Sequence, residues 1–218
     1  ERYGSLMQTI AGLHYNFSFS DKFFNILLSL EENKNEKELK NEVYLHIARN
    51  FKRFGWLYFF LYGASPAVCD SFVEKDKHDL ESLPGGGLYK PNSTSLRMGD
   101  LGYISKAQDD LNISYNTLDD YCLDLENALT TSYKAYQEIG EFVDDKRVQL
   151  NTSVIQIENE YYSTIRPKRV CPTGERPVNV LRTKGIEYLE LRCVDLDPFS
   201  PVGVRRDQID FMDTLLMY

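Results

Sequence analysis

The stretch at residues 185–201, GIEYLELRCVDLDPFSP, constrains this chain more than any other. Apolar and polar side chains alternate through it, the pattern of an extended strand with one face against a core. Ile186, Tyr188, Glu190 and Arg192 fall on one side, and Glu187, Leu189, Leu191 and Cys193 on the other. Leu189, Leu191 and Cys193 can seal a core. Glu190 and Arg192 then stand together on the opposite face, about 7 Å apart along the strand. That pair has two readings. One is a hard oxygen ligand for a divalent cation beside a permanent cation for phosphate or carboxylate. The other is an exposed ion pair, which this stretch alone favours.

A second alternating run lies at 3–19. Thr9, Ala11, Leu13, Tyr15 and Phe17 share a mostly apolar face, and Gln8, Ile10, Gly12, His14 and Asn16 share the other. A lone histidine is most often structural. His14 nevertheless sits with Gln8 and Asn16, which also allows a ligand face. Between the two strands the reading is largely helical. Ser20 or Asp21 caps a short apolar helix over 20–30. Leu39, Val43, His46, Ile47, Phe51 and Phe54 recur at helical spacing, with His46 as a packed or rim residue. The run at 56–62 is apolar all round, and the GASP sequence at 63–66 breaks it. Residues 67–73 are expected to form another short helix. Residues 74–91 read as a polar loop; their PGGG run lacks the spacing and Lys-Ser/Thr ending of a phosphate-binding loop.

Residues 93–103 form an irregular loop of the kind that carries binding residues. A helix is expected over 117–140, ended by Gly140, with Asp119, Asp120, Asp124 and Glu126 as a solvated face. Residues 147–157 look strand-like. Residues 158–169, ENEYYSTIRPKR, gather tyrosines and basic residues around a proline, a phosphate site or a solvated loop. Ile209, Met212, Leu215 and Leu216 mark a last helix. Strands separated by long helical excursions imply an α+β fold.

The 218 residues, 42% hydrophobic and 13% aromatic, suffice for a sizeable core. A net charge of −8 argues against a general nucleic-acid surface, and it suits carboxylates that hold cations. The apolar run at 56–62 is too short to span a bilayer. Cys69, Cys122, Cys171 and Cys193 form no CxxC pair, so reduced, cytoplasmic thiols are expected, with Cys69 and Cys193 buried. The four N-x-S/T triplets, at Asn16, Asn92, Asn112 and Asn151, are read as chance in an Asn/Ser/Thr-rich chain. The absence of an initiator Met and the unterminated last helix lead to the expectation of an internal piece of a longer protein.

Five separated motifs then fall together: MQTI at 7–10 with HYNFS at 14–18, RFGW at 53–56 with YGASP at 62–66, TSLR at 94–97 with DLGY at 100–103, QIENE at 156–160 with IRPKR at 165–169, and GIEYLELR at 185–192 with DPFSP at 197–201. In this order and spacing the chain resembles the proteobacterial type of glutamate–cysteine ligase. The resemblance implies a glutamine-synthetase-like α+β fold, with flanking helices and a curved, mainly antiparallel sheet lining the active site. Residues 1–218 would be the internal part of one catalytic domain. It also implies cytoplasmic ATP-dependent joining of the γ-carboxylate of L-glutamate to L-cysteine through a γ-glutamyl phosphate, with Mg²⁺ or Mn²⁺, in glutathione synthesis, and no nucleic-acid or membrane partner. His14 and Glu190 would be metal ligands, Arg192 would face the phosphoryl group, and Arg97 would clamp glutamate. Gln8, Tyr103 and Tyr162 would shape a cysteine pocket, with Ile10 in the amino-acid site wall. Arg166, Lys168 and Arg169 would touch the nucleotide. The family's other acidic ligands would lie upstream of Glu1, so the isolated chain is expected to be inactive. A related ligase with another amine, the first half of a bifunctional glutathione-synthesising enzyme, and a non-catalytic domain of the same fold are the alternatives.

Overall fold

The computed structural model describes residues 12–73, 78–99 and 106–218. Gln8, Ile10 and Tyr103 lie outside the described residues. The centre is a three-stranded antiparallel sheet in the order β1–β8–β7, with β1 at Gly12–Phe17, β7 at Ile165–Lys168 and β8 at Tyr188–Asp195. The alternation read in β8 holds. Leu189 and Leu191 are fully buried and Cys193 nearly so, while Tyr188, Glu190 and Arg192 form the opposite, partly open face. Ile186 and Glu187 depart from the pattern: Ile186 is buried and Glu187 exposed, because both precede the strand. There the chain leaves helix α6 (Pro177–Lys184) through Gly185, at φ +79°. A Cβ at Gly185 would lie 2.8 Å from Asn41 Oδ1, the atom that accepts the Ile186 N–H, so glycine is required by both conformation and space.

The helices cover the back of this sheet. Ser20 caps α1 (Asp21–Ser29), its hydroxyl accepting the Phe23 N–H. Asn35 and Glu38 form a reciprocal capping box for α2 (Glu36–Phe54). α2 buries Leu39, Tyr44, Leu45, Ile47, Ala48 and Phe51, and His46 stays exposed at the rim. Helix α3 (Trp56–Tyr62) follows Gly55. It buries only Tyr58 and exposes Trp56, Phe60 and Leu61, so it is not enclosed on all sides as its composition suggested. The last helix, α7 (Arg206–Met217), seats Met212 and Leu216 in the same core as Leu189, Leu191 and Ile165.

Several expectations are corrected. Residues 67–73 are not a helix: Ala67–Val68 is strand β2 and Asp70–Phe72 a single 3₁₀ turn. With β3 (Glu81–Ser82) and β4 (Leu88–Tyr89), β2 forms a small antiparallel sheet across the expected loop. The helix read over 117–140 is two helices, α4 (Leu118–Thr130) and α5 (Lys134–Ile139). The backbone between them bonds elsewhere: Tyr133 N–H donates to Thr152 O and Val154 N–H to Thr131 O. The strand read over 147–157 reduces to a tight hairpin of β5 (Phe142–Val143) with β6 (Lys146–Arg147), followed by an irregular segment. Conversely, the basic segment around Pro167 is a strand. Pro167 is tolerated because β7 is the outer strand of the described sheet, where one row of N–H groups is not needed for pairing. All four cysteines are free; Cys122 and Cys193 are buried, but Cys69 is exposed. No helix among the described residues is long and apolar enough to cross a membrane.

Candidate active site on the front of the sheet

The front of the sheet is polar because three strands present their outward residues together. Glu190 stands directly opposite Arg166 on β7 and Asn16 on β1. Lys168 stands opposite Tyr188. Between the pairs Leu13–Val194 and Tyr15–Leu191, β8 carries one more residue than β1, a bulge that places Arg192 and Cys193 across from His14. A bulge of this kind re-aims a side chain. Here Cys193 and Val194 both turn into the core, while Arg192 reaches His14, its Nε donating to His14 Nε2 at 3.3 Å. The proton of the neutral imidazole is thereby assigned to Nδ1, which lies 3.4 Å from Glu190 Oε1.

Glu190 is held from the other side by Arg166. Its Oε2 accepts from Arg166 Nη2 at 2.7 Å and from Nε at 3.2 Å. Arg166 Nη1 donates to the carbonyls of Tyr161 and Asn159 at 2.9 and 3.2 Å. Arg166 is therefore buried and engaged on every nitrogen. Burial pushes the Glu190 carboxyl up, but the hydrogen bond and charge of Arg166, with Lys168 and His14, outweigh it and hold the carboxyl below its ordinary value. Burial, then Arg192, lowers His14 against the opposing pull of Glu190, so the imidazole is neutral at pH 7. Burial, then Arg166, lowers Lys168.

A depressed carboxyl stabilises the fold fully above its ordinary pKa and loses that contribution as pH falls through its lower folded value. Acidification from about pH 7 to about pH 3 is therefore expected to lower the urea midpoint more in the wild type than in Glu190→Gln. Equal shifts would refute a folded-state role for the ionised pair.

Arg97 reaches the same region from the 3₁₀ turn Leu96–Met98. It is 8% exposed. Its Nε donates to Asp195 Oδ1 at 2.6 Å and its Nη1 to the Arg192 carbonyl at 3.2 Å. Its Nη2 is buried and has no partner among the described residues. Tyr162, set by its N–H to Gln108 Oε1, directs its hydroxyl to Met98 Sδ at 3.4 Å. Burial pushes that phenol up to about 12, so it remains a donor. Arg169 is engaged elsewhere, with Nε donating to Gly185 O at 2.6 Å and Nη1 lying 3.8 Å from Glu187.

The structure thus gathers His14, Glu190, Arg192, Arg166 and Lys168 on one sheet face, and joins Arg97 to that face through the Arg192 carbonyl. Asp195, which anchors Arg97, and the link from Arg166 to Glu190 went unread in the sequence. One signal was available for Asp195: uninterrupted alternation past Cys193 would turn an acid into the core, where it needs a buried partner.

The groups of a type that could ligate a divalent cation are the His14 imidazole and the Glu190 carboxylate, though Arg192 occupies the imidazole's acceptor nitrogen and Arg166 one carboxylate oxygen. The carboxylate suits such an ion, whereas an imidazole is a softer donor that a hard ion takes less readily. They supply only two of its ligands, and no group of three or more metal-ligating side chains occurs among the described residues.

The family model for glutamate–cysteine ligase matches residues 1–218. The chain is 48% identical to a glutamate–cysteine ligase of Alcanivorax borkumensis and 47% identical to one of Pseudomonas putida, over 100% of its own length and 42% of theirs. It spans about two fifths of the length of these curated relatives. A crystal structure of glutamate–cysteine ligase from Francisella tularensis in complex with AMP superposes with a TM-score of 0.89 at 40% identity, over 99% of this chain and 42% of that one. A bifunctional glutathione synthetase from Pasteurella multocida gives 0.65 at 25% identity, over 99% of this chain and 23% of that one. A family model that matches the whole chain, with a relative's backbone superposing over 99% of it, leaves one conclusion: the chain belongs to the glutamate–cysteine ligase family.

Proposed function

We propose that this chain is the internal part of a ligase polypeptide of its relatives' length, which joins the γ-carboxylate of L-glutamate to the amine of L-cysteine at the expense of ATP. The observation that carries the reading is the buried, unpartnered Nη2 of Arg97 beside the Arg192 strand, a donor suited to an anionic oxygen. The AMP complex of the Francisella relative supports an adenine nucleotide as the phosphoryl source.

In this reading the γ-carboxylate oxygen attacks the terminal phosphorus of ATP, and ADP leaves. The cysteine nitrogen then attacks the acyl carbon, loses a proton, and expels phosphate. Arg97 orients the glutamate carboxylate. Arg192 faces the transferred phosphoryl group and offsets its charge, which is most of what phosphoryl transfer requires. His14 and Glu190 would hold Mg²⁺, or Mn²⁺, with ligands from beyond this chain; the ion supplies charge neutralisation on phosphate oxygens. Arg166 positions Glu190 instead of touching nucleotide, because its donors are engaged. Lys168 remains a candidate for phosphate, and Arg169 a weaker one. Tyr162 is the described residue of the proposed cysteine pocket; Gln8 and Tyr103, assigned to the same pocket, and Ile10, assigned to the amino-acid site, lie outside the described residues. The setting is cytoplasmic, with reduced thiols.

ADP release by the full-length polypeptide tests this. It is expected to depend on glutamate and to give γ-glutamylcysteine, with cysteine preferred over other amines, whereas the 218-residue chain alone makes none. Glutamate-independent ADP release, or preference for another amine, would overturn the reading.

A further inference from the structure

Asp195 ends β8 opposite Gly12 and is 3% exposed. A buried aspartate facing an arginine ordinarily takes it with both oxygens. Here it does not. Oδ1 accepts from Arg97 Nε at 2.6 Å, while Oδ2 accepts the Ala64 N–H at 3.0 Å and the Ser65 hydroxyl at 2.8 Å. Ser65 is itself set by Ser95 Oγ at 3.1 Å, two residues before Arg97. The backbones of the two loops also join, with Ser65 N–H donating to Thr94 O and Leu96 N–H to Ser65 O. One flank of the guanidinium rests on Gly12, where a Cβ would lie 2.7 Å from Arg97 Cζ and 2.8 Å from Nη1. Arg97 is thus fixed at Nε, at Nη1 and along Gly12, and only Nη2 is left over.

We infer that Asp195, with its second oxygen restrained by Ala64 and Ser65, is a positioning residue that keeps Arg97 Nη2 available and aimed at the carboxylate of the amino-acid substrate. This rests on the reading of Arg97 given above. The device has two parts. The first oxygen orients the guanidinium. The hydrogen bonds on the second oxygen stop Asp195 from closing a two-pronged pair with Arg97 and occupying the nitrogen meant for substrate. Ser65, which touches no substrate in this account, therefore protects the affinity for the acidic substrate.

Steady-state kinetics on the full-length ligase test the inference with Asp195→Asn, Ser65→Ala and Arg97→Ala, each checked for its melting temperature. Asp195→Asn is expected to raise the KM for glutamate about tenfold and to leave the KM for ATP unchanged, since small misplacements of a binding group act at this scale. Ser65→Ala, the milder change, is expected to raise the glutamate KM about threefold, again without moving ATP, because the freed oxygen competes for Nη2. Neither substitution should add to the effect of Arg97→Ala. Unchanged glutamate KM in both single variants, with Arg97→Ala impaired, would overturn the role of Asp195 alone. Equal shifts in the KM values for glutamate and ATP would reduce Asp195 to a structural residue. An Arg97→Ala enzyme with normal glutamate KM would overturn the reading of Arg97 itself.

Discussion

Glu190→Gln in the full-length ligase is expected to lower turnover about 10³-fold or more, the scale of removing a hard ligand from a phosphoryl-transfer site. The substitution preserves size and one acceptor oxygen. It removes the charge from a side chain that is 12% exposed and that meets Arg166 at 2.7 Å and His14 at 3.4 Å. Two consequences separate. Arg166, 6% exposed at its side chain, loses its counterion, so stability falls by about 3 kcal/mol. Independently, the divalent-ion concentration for half-maximal rate rises, because the site keeps only His14 from this chain. Measuring turnover below the variant's melting transition, across a metal titration, distinguishes the two. A variant that unfolds early but turns over normally when folded would leave Glu190 a structural residue.

Arg97→Ala is expected to raise the KM for glutamate about 10²-fold, the scale of a charge-assisted hydrogen bond to a bound anion. It should also destabilise the fold by about 3–5 kcal/mol, because Asp195 is left buried without its cation. Arg97→Lys restores charge but not three directed nitrogens, so it is expected to recover stability better than glutamate affinity. Urea unfolding and glutamate saturation curves on both variants check this. Equal recovery of both properties by lysine would contradict a site that uses the shape of the guanidinium.

The parts of the fold that were legible in sequence are those governed by local period. β8 alternates because one face packs on helices; Leu189 and Leu191 are fully buried while Glu190 and Arg192 stay in front. The caps at Ser20 and Asn35 and the stripe of α7 follow the same logic. What failed was set by distant partners. The segment at 158–169 read as a phosphate site or a solvated loop, yet pairing with β8 makes 165–168 a strand. The helix over 117–140 breaks where the chain near Thr152 captures backbone groups at Thr131 and Tyr133. No local pattern marks the bulge opposite His14, and Asp195 gains its role from loops about 100 and 130 residues away. The candidate residues were therefore readable by type, whereas the way Arg166 holds Glu190 and Asp195 holds Arg97 needed the fold.

In the proposed reading, this sheet face serves transfer of phosphate to the glutamate side chain before cysteine adds. The most direct measurement uses glutamate carrying ¹⁸O in its γ-carboxylate, with ATP, cysteine and the full-length ligase. One ¹⁸O is expected in the inorganic phosphate of every turnover, with labelled phosphate forming about 10³-fold more slowly in Glu190→Gln and, at subsaturating glutamate, about 10²-fold more slowly in Arg97→Ala. Unlabelled phosphate, or labelled phosphate formed at the wild-type rate in both variants, would contradict transfer at this face.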